Sequence, residues 1–322
     1  MPVSAKQALL RAPNWGSGNS SWDHDEGGFA MKPAPFQYAA PTAVEDVLTL
    51  LAIHRSTAKL LAGGQSLVPL MNYRKERPSV VIDLNRVEAL RNILIDHGGL
   101  TLGAMVRYAE VERSTEVAEN WPLLSHAIGH IAHQQIRSRG TIGGSLAQNH
   151  PGAEMPLVLL CLDAMLGVRG PAGARTLPID DFYTSDGKTT LGADEMLVDA
   201  KLPAMPEKAG WGFCEVNRRH GDASIVAAAA VLVRDGPGIS FARIVITGVA
   251  NRPVRFSAAE AQLVKHANLQ SFADSLTGLA ADFLPPDTPF APSWYRRDIA
   301  VTIVARAIED AWRRTSEACH VA

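Results

Sequence analysis

A chain of 322 residues with 47% apolar side chains is long enough for two or three domains around a sizeable core. Its net charge of −2 offers no basic field for nucleic acid, and no apolar run approaches a membrane span. Cys161, Cys214 and Cys319 are widely spaced with no C-x-x-C pair, so no iron–sulfur or zinc framework can be read, and so sparse a count suits a reducing, cytoplasmic compartment.

Residues 1–31 lack the apolar stretch of a secretory signal and read as an N-terminal arm, loosely ordered or in contact with a partner. Residues 36–41 predict a short strand stopped by Pro41. Thr42 then caps a helix in which Val44, Val47, Leu48 and Leu51 recur at helical spacing, with Glu45 and Asp46 at the positive end of its dipole. Residues 59–62 and 80–84 read as strands, so this stretch is a small α/β unit. A strand at 100–104 follows, then a helix from Pro122 to about Gln135 with Leu123, Leu124, Ala127, Ile128 and Ile131 inward. Residues 155–165 are apolar apart from Asp163 and read as a buried helix with Pro156 in its first turn. Pro203 and Pro206 mark a domain boundary within 202–210. Beyond it, 212–217, 224–233 and 239–249 read as strands or a helix–strand mixture, the run Ala227 to Ala230 leaving both open. Residues 294 to about 314 predict a helix with Val301, Val304, Ile308 and Trp312 on one face.

Two glycine pairs punctuate this pattern, in Ala62-Gly63-Gly64-Gln65-Ser66 and in Thr141-Ile142-Gly143-Gly144-Ser145. Glycine permits positive φ and close approach of a ligand to the main chain, and successive N–H groups in such a turn form a nest for phosphate oxygens. Either alone reads equally as an ordinary tight turn; together they read as two walls around one extended dinucleotide. Neither is the G-x-G-x-x-G fingerprint. Gly187-Lys188-Thr189 matches the end of a P-loop, but Phe182 stands where the earlier glycine belongs, which rejects that reading. Arg137 and Arg139 precede the second pair. Asn149-His150-Pro151-Gly152 follows it as a turn able to aim polar groups at an aromatic heterocycle, and Glu154 suits the start of the next helix on dipole grounds alone. His126, His130 and His133 read along one helix. The first two have i, i+4 spacing, but nothing completes a metal site, and packing is the preferred reading. Without G-x-S-x-G or an evident Cys–His pair, hydrolase chemistry has little support. Arg218-Arg219-His220-Gly221-Asp222 closes a strand as a charged hairpin or as a loop returning to the site.

In order and spacing, these stretches resemble the FAD-binding medium subunits of molybdenum hydroxylases, the carbon monoxide dehydrogenase and xanthine dehydrogenase flavoprotein family. The likeness runs from about Pro33 to Arg314 through residues 59–67, 136–145, 218–222 and 295–299. It implies an α+β fold of the vanillyl-alcohol-oxidase type: residues 32–204 as an FAD-binding domain of two α/β subdomains split near 87, and residues 205–322 as a C-terminal α+β domain. Ala62, Gly63, Gly64, Gln65 and Ser66, with Thr141, Ile142, Gly143, Gly144 and Ser145, would wrap the pyrophosphate, while Ile142 and the stretch after Gly144 would lie near the isoalloxazine. Leu67, Arg139, Asn149, Glu154 and Asp222 complete the implied cofactor set. Asp83 and Asp163 are weaker carry-overs that equally read as caps or turns. No Cys or His interrupts the first loop, so the FAD is expected to be non-covalent. Ser145, His150 and Ala223 depart from the family's usual Asn, Asp and aromatic. The implied role is electron transfer: a large partner holds a molybdenum cofactor, a small partner carries 2Fe–2S clusters, and the assembly is a dimer of heterotrimers. No catalytic residue or metal is expected on this chain, and no membrane span. The rival readings are a self-sufficient flavin oxidase or reductase of the same fold and a non-redox nucleotide-binding scaffold.

Overall fold

Residues 9–10, 31–96, 98–265, 276, 278, 280, 283–288 and 290–318 are described by a computed structural model. Most of the N-terminal arm, and Cys319, lie outside them. The first sheet is built from β1 (Leu9–Leu10), β2 (Gln37–Ala39), β3 (Ala58–Leu61) and β4 (Val80–Asp83), in the order β1-β2-β4-β3. The inner strand β4 runs parallel to β2 and β3, and Val80, Val81 and Ile82 are buried on both faces, as a continuous apolar run in a parallel sheet requires. α1 (Val44–His54) packs Val44, Val47, Leu50 and Leu51 into this core. Thr42 does not cap it: Ala43 holds the N-cap position, one residue further on, and no side chain bonds to the helix start. α2 (Leu67–Asn72) leaves the sheet directly after the first glycine loop.

The second sheet is antiparallel throughout. Its strands β5 (Ile93–Asp96), β6 (Gly99–Gly103), β7 (Met165–Gly170), β8 (Gly173–Pro178) and β9 (Met196–Pro203) are ordered β5-β6-β9-β7-β8. Between β6 and β7 the chain inserts α3 (Tyr108–Glu112), α4 (Thr115–Asn120), α5 (Pro122–His130), α6 (Gln134–Arg137), α7 (Ile142–Gln148) and α8 (Glu154–Cys161). The helix expected to reach about Gln135 therefore stops at His130. Ile131 is extended and Ala132 has φ of 43°, and Arg137 Nη1 supplies the freed carbonyls of Ile131 and Ala132 with donors at 3.1 and 3.4 Å. His133 N-caps α6, so the three histidines do not share one helix. α8 is likewise shorter than its apolar run. Asp163 turns the chain at φ of 55°, and Met165 already opens β7.

The third sheet is a meander, β10 (Gly210–Val216), β11 (Val226–Asp235), β12 (Gly238–Thr247) and β13 (Val254–Arg255), backed by α9 (Ser257–Lys265) and α10 (Ser293–Ala318). The alanine run is strand. Ala227 and Ala229 face the core that contains α8, while Ala228 and Ala230 face α10, and all four are 0% exposed. A sheet covered closely on both faces needs small side chains on both. Arg296, buried in α10, donates Nη1 to the carbonyls of Ile225 at 2.8 Å and Gly248 at 3.2 Å, and Nη2 to Thr288 Oγ1 at 2.8 Å. Arg296→Met keeps the bulk and strands these acceptors, so urea unfolding is expected to show a loss of about 2–3 kcal/mol.

Candidate functional site

A cleft of about 900 Å³ lies where the first two sheets meet, and both glycine loops line it. Eleven of the fifteen residues in the implied cofactor set lie on its wall: Ala62, Gly63, Gly64, Gln65, Ser66, Leu67, Thr141, Gly143, Gly144, Ser145 and Glu154. β3 delivers the first loop to the cleft edge, where Gly64 takes φ of +75°. Among the described residues, no protein acceptor meets the main-chain N–H of Gly63, Gly64, Gln65, Ser66 or Leu67. Five consecutive peptide donors are therefore free on one wall.

The second pair works differently from the turn expected of it, because it forms the first turn of α7. Ile142 N–H donates to Val106 O at 3.0 Å, Gly143 N–H to Ala104 O at 2.9 Å, and Gly144 N–H to the Thr141 Oγ1 cap at 3.1 Å. With these donors spent, this wall offers small size and the Ser145 hydroxyl. The glycines are needed for clearance: a Cβ on Gly143 would sit 2.6 Å from that of Ala104, and one on Gly144 would sit 2.6 Å from Thr141 Oγ1. The loops touch each other as well, since a Cβ on Gly63 would lie 2.3 Å from Arg139 O.

A half-buried polar chain holds the two walls together. Asp83 accepts from Tyr38 Oη at 2.5 Å and from Asn85 N–H at 2.8 Å, and Asn85 Nδ2 donates to Ala62 O at 3.1 Å. Arg107 bonds both Asn85 Oδ1 and Arg139 O. Burial, with the Asp83 bond and charge added, pushes the Tyr38 hydroxyl up to about 12, so it stays a donor. Asp83 is thus a cap. Asp163, paired to Arg243, does not line the cleft. Asn85 and Arg107 belong to no sequence motif and were not anticipated.

Four expected residues stand behind the lining. Ile142, in the first turn of α7, is fully buried, and Arg139 is exposed, its carbonyl packed on Gly63. Asp222 pairs with Arg219 at 3.3 Å while its neighbours Gly221 and Ala223 reach the cleft. Asn149, in a left-handed turn at φ of 42°, donates Nδ2 to Gly187 O at 2.7 Å and Asn251 O at 3.4 Å. It holds in place the hairpin that brings Gly187, Lys188 and Thr189 to the cleft. Those three had been set aside with the P-loop reading, and only the fold recovers them. The C-terminal domain also grips the turn after Asn149, through Thr247 Oγ1 to Pro151 O at 2.7 Å and Ser224 N–H to Gly152 O at 3.1 Å. His150 Nδ1 accepts from Gly152 N–H at 3.2 Å, and burial lowers its pKa, so the ring is neutral.

Glu154 is the one buried acid on the wall. Burial above all, and then the charge of Glu215, push its carboxyl up to about 7, against its own backbone N–H and His130. The folded chain therefore holds a proton that the unfolded chain releases in the usual carboxylate range. This contribution to stability falls as pH rises toward 7 and levels off above it. Among the described residues, no group of three or more His, Cys, Asp or Glu could hold a metal, and no helix is long and apolar enough to cross a membrane.

Comparison with known proteins agrees with this geometry. Residues 34–205 match the family model of the FAD binding domain in molybdopterin dehydrogenase, and residues 211–311 match that of the CO dehydrogenase flavoprotein C-terminal domain. The 6-hydroxypseudooxynicotine dehydrogenase complex subunit alpha of Paenarthrobacter nicotinovorans is 38% identical over 88% of this chain and 97% of its own length. The carbon monoxide dehydrogenase medium chain of Hydrogenophaga pseudoflava is 34% identical over 88% and 99%. A solved structure of that dehydrogenase superposes with a TM-score of 0.84 at 35% identity, covering 88% of this chain and 99% of the matched one. Quinoline 2-oxidoreductase from Pseudomonas putida 86 gives 0.83 at 34% identity, covering 89% and 99%. The fold is α+β, and the chain belongs to the family of FAD-binding medium subunits of molybdenum hydroxylases, the oxidoreductases that include carbon monoxide dehydrogenase and xanthine dehydrogenase.

Proposed function

We propose that this chain is the cytoplasmic electron-transfer subunit of a multi-subunit molybdenum hydroxylase and holds FAD non-covalently. A large partner would carry the molybdenum cofactor and the hydroxylation, a small partner the iron–sulfur clusters, and electrons would leave from this subunit to an external acceptor. A dimer of heterotrimers and a division into residues 32–204, split near 87, and 205–322 belong to the same reading.

The observation that carries the reading is the run of five free N–H groups at Gly63 to Leu67, on a cleft that a glycine-cleared helix start also lines. The donors match a doubly charged pyrophosphate, and the missing Cβ atoms leave it room. Flavin, when bound, supplies the exchange between two-electron and one-electron carriers. The chain's own part is to bind and orient. Gly63 to Leu67 give N–H donors, Ser145 gives a hydroxyl, and Thr141 and Arg107 keep the two walls in register. Leu70, Met105, Ile131, Ile136, Met196 and Leu197 give the cleft an apolar lining that excludes water from a ring system. His150 and the hairpin at Gly187 to Thr189 add polar groups to the lining. None of these residues needs to act as a nucleophile.

A visible absorption spectrum of the purified chain tests this. The expected result is a flavin spectrum whose chromophore is released by acid and identified as FAD. A colourless chain that takes up no added FAD, alone or in its complex, would refute it.

A further inference from the structure

An ion pair joins α5 to the C-terminal domain at the edge of the cleft. Glu215 lies on β10, and its side chain is only 6% exposed. Its Oε1 accepts from His130 Nδ1 at 3.1 Å and from Asn217 Nδ2 at 3.0 Å, and its buried Oε2 has no partner. Among the described residues, His130 is the one basic group within ion-pair distance of this carboxylate. His130 is the last residue of α5, and the turn that follows it, Ile131 and Ala132, lines the cleft. Gly221, in the loop after β10, seats on the same turn. Its φ is +85°, and a Cβ there would lie 2.9 Å from Ala132 O and 3.0 Å from the His133 ring. Gly221 and Ala223 line the cleft as well. Ring contacts complete the seam, His126 with Trp211 at 5.1 Å and His130 with Phe213 at 5.0 Å.

We propose that the His130–Glu215 pair is a pH-sensitive clasp that holds the C-terminal domain against the turn at Ile131 and Ala132, closed while the imidazole is charged. It stands on this contact alone and does not depend on what fills the cleft. A carboxylate so far removed from water needs a positive partner or a proton. When His130 loses its charge, two arrangements are open to the ring. Either Nδ1 keeps its hydrogen and a weaker neutral bond remains, or Nδ1 turns a lone pair toward Oε1 and the two repel. Both leave Glu215 buried without a counter-charge and weaken the seam where it borders the cleft. The hydrogen bond to Glu215 above all, and then the charges of Glu215 and Glu154, raise the pKa of His130 against its burial. The clasp is therefore complete below the usual imidazole range and is released as pH rises through the raised value.

The other titratable groups on the elements around this pair are partnered, neutral or exposed. On α5, the His126 ring lies 5.0 Å from that of His130. Burial lowers its pKa first, then the charges of His130 and of Arg314 on α10, against Asp310 and Glu215. α3 carries Tyr108, kept neutral by burial, Glu110, paired with Arg91, and Glu112, paired with Arg137. Glu116 and Glu119 of α4 are exposed. α8 carries Glu154 and, at its far end, Cys161, kept neutral by burial. Burial likewise raises Cys214 on β10, beside Arg306 of α10. In the loop after β10, the His220 ring lies 6.4 Å from that of His130, Arg219 pairs with Asp222, and Arg218 stacks on Phe290 at 5.1 Å. His133 faces that loop across Gly221.

The test uses the whole chain with isotope-labelled histidines. The His130 resonance is expected to titrate above the usual imidazole value, and Glu215→Gln should lower that titration. Amide exchange, corrected for the intrinsic effect of pH, should show protection at residues 131–133 and 212–223 falling about fivefold as pH rises through it. That factor is the margin of a charged over a neutral hydrogen bond. Glu215→Gln, which keeps the shape of the side chain, should make the protection independent of pH. His130→Gln reads the same seam from its other side and should do likewise. His126→Gln and His220→Gln should leave the fall in place. The clasp is overturned by protection that ignores pH in the unaltered chain, by a fall that persists in Glu215→Gln or His130→Gln, or by one that His126→Gln or His220→Gln abolishes.

Discussion

Gly64→Val and Gly144→Val are each expected to yield folded protein that purifies without flavin. Gly64 sits at φ of +75°, a conformation that costs a β-branched residue about 1–3 kcal/mol, and a Cβ there would already be 3.2 Å from Val68 Cγ2. The loop relieves this by rotating away from φ > 0, which turns its N–H groups off the cleft. Hydrogen bonds to a charged group are worth about 1.5–3 kcal/mol each, so losing two weakens FAD binding by at least about a hundredfold. Gly144 acts by a second route. A side chain there collides with Thr141 Oγ1 at 2.6 Å, removes the α7 cap, and moves toward Ala62 Cβ at 3.4 Å, closing the gap between the walls. The cap loss costs about 1 kcal/mol, which the fold tolerates. Gly129→Ala is the matching control: its Cβ meets nothing within 4 Å, and flavin content should not change. Titration of FAD into the stripped proteins, followed by fluorescence quenching, measures the effect. Wild-type affinity in both valine variants would remove these loops from the pyrophosphate site.

The second large effect lies in the C-terminal domain. Gly212→Ala is expected to destabilise it by about 3 kcal/mol or more, although only one methyl group is added. That methyl would lie 1.8 Å from Ala307 O and 3.0 Å from Ala311 N, so it strikes the backbone of α10, which cannot rotate aside. Gly210 meets the carbonyl of Ala311 at 2.0 Å in the same way. Facing Gly212 on β11 is Ala230, and together they form the lane in which α10 seats Ile303, Val304, Ala307 and Ile308. Pushing the helix out exposes that whole face. Because the obstruction is a carbonyl, Ala307→Gly should give no rescue. Denaturant unfolding of the single and double variants decides it; a stable Gly212→Ala chain would mean the helix has slack that this packing denies.

What could be read in advance was local. Ala62 to Ser66 announces a strand end followed by a turn because only glycine accepts what the backbone does there, and Val44, Val47 and Leu51 announce a helix because their period is 3.6. The continuously apolar Val80 to Ile82 likewise demands burial on both faces. Other features depended on partners distant in sequence. The break after His130 is stabilised by Arg137, whose donors make up for the missing helix bonds. Ala227 to Ala230 satisfies helix and strand alike, and the close approach of α8 and α10 decides between them. The second glycine pair became a helix start because Val106 and Ala104, brought alongside by the fold, accept the N–H groups of Ile142 and Gly143, and Thr141 accepts that of Gly144. Asn85 and Arg107 join loops that are separated by long stretches of chain, and nothing in their neighbours' identities marks them.

The sequence by itself determined where the chain could turn, which segments had to be buried, and that two glycine pairs would wall one cleft. The tertiary structure decided which wall keeps free donors, which residues only support the lining, and that Glu154 is held as a buried acid on the cleft wall. Those outcomes depend on desolvation and on hydrogen-bond partners, which exist only once the elements have packed.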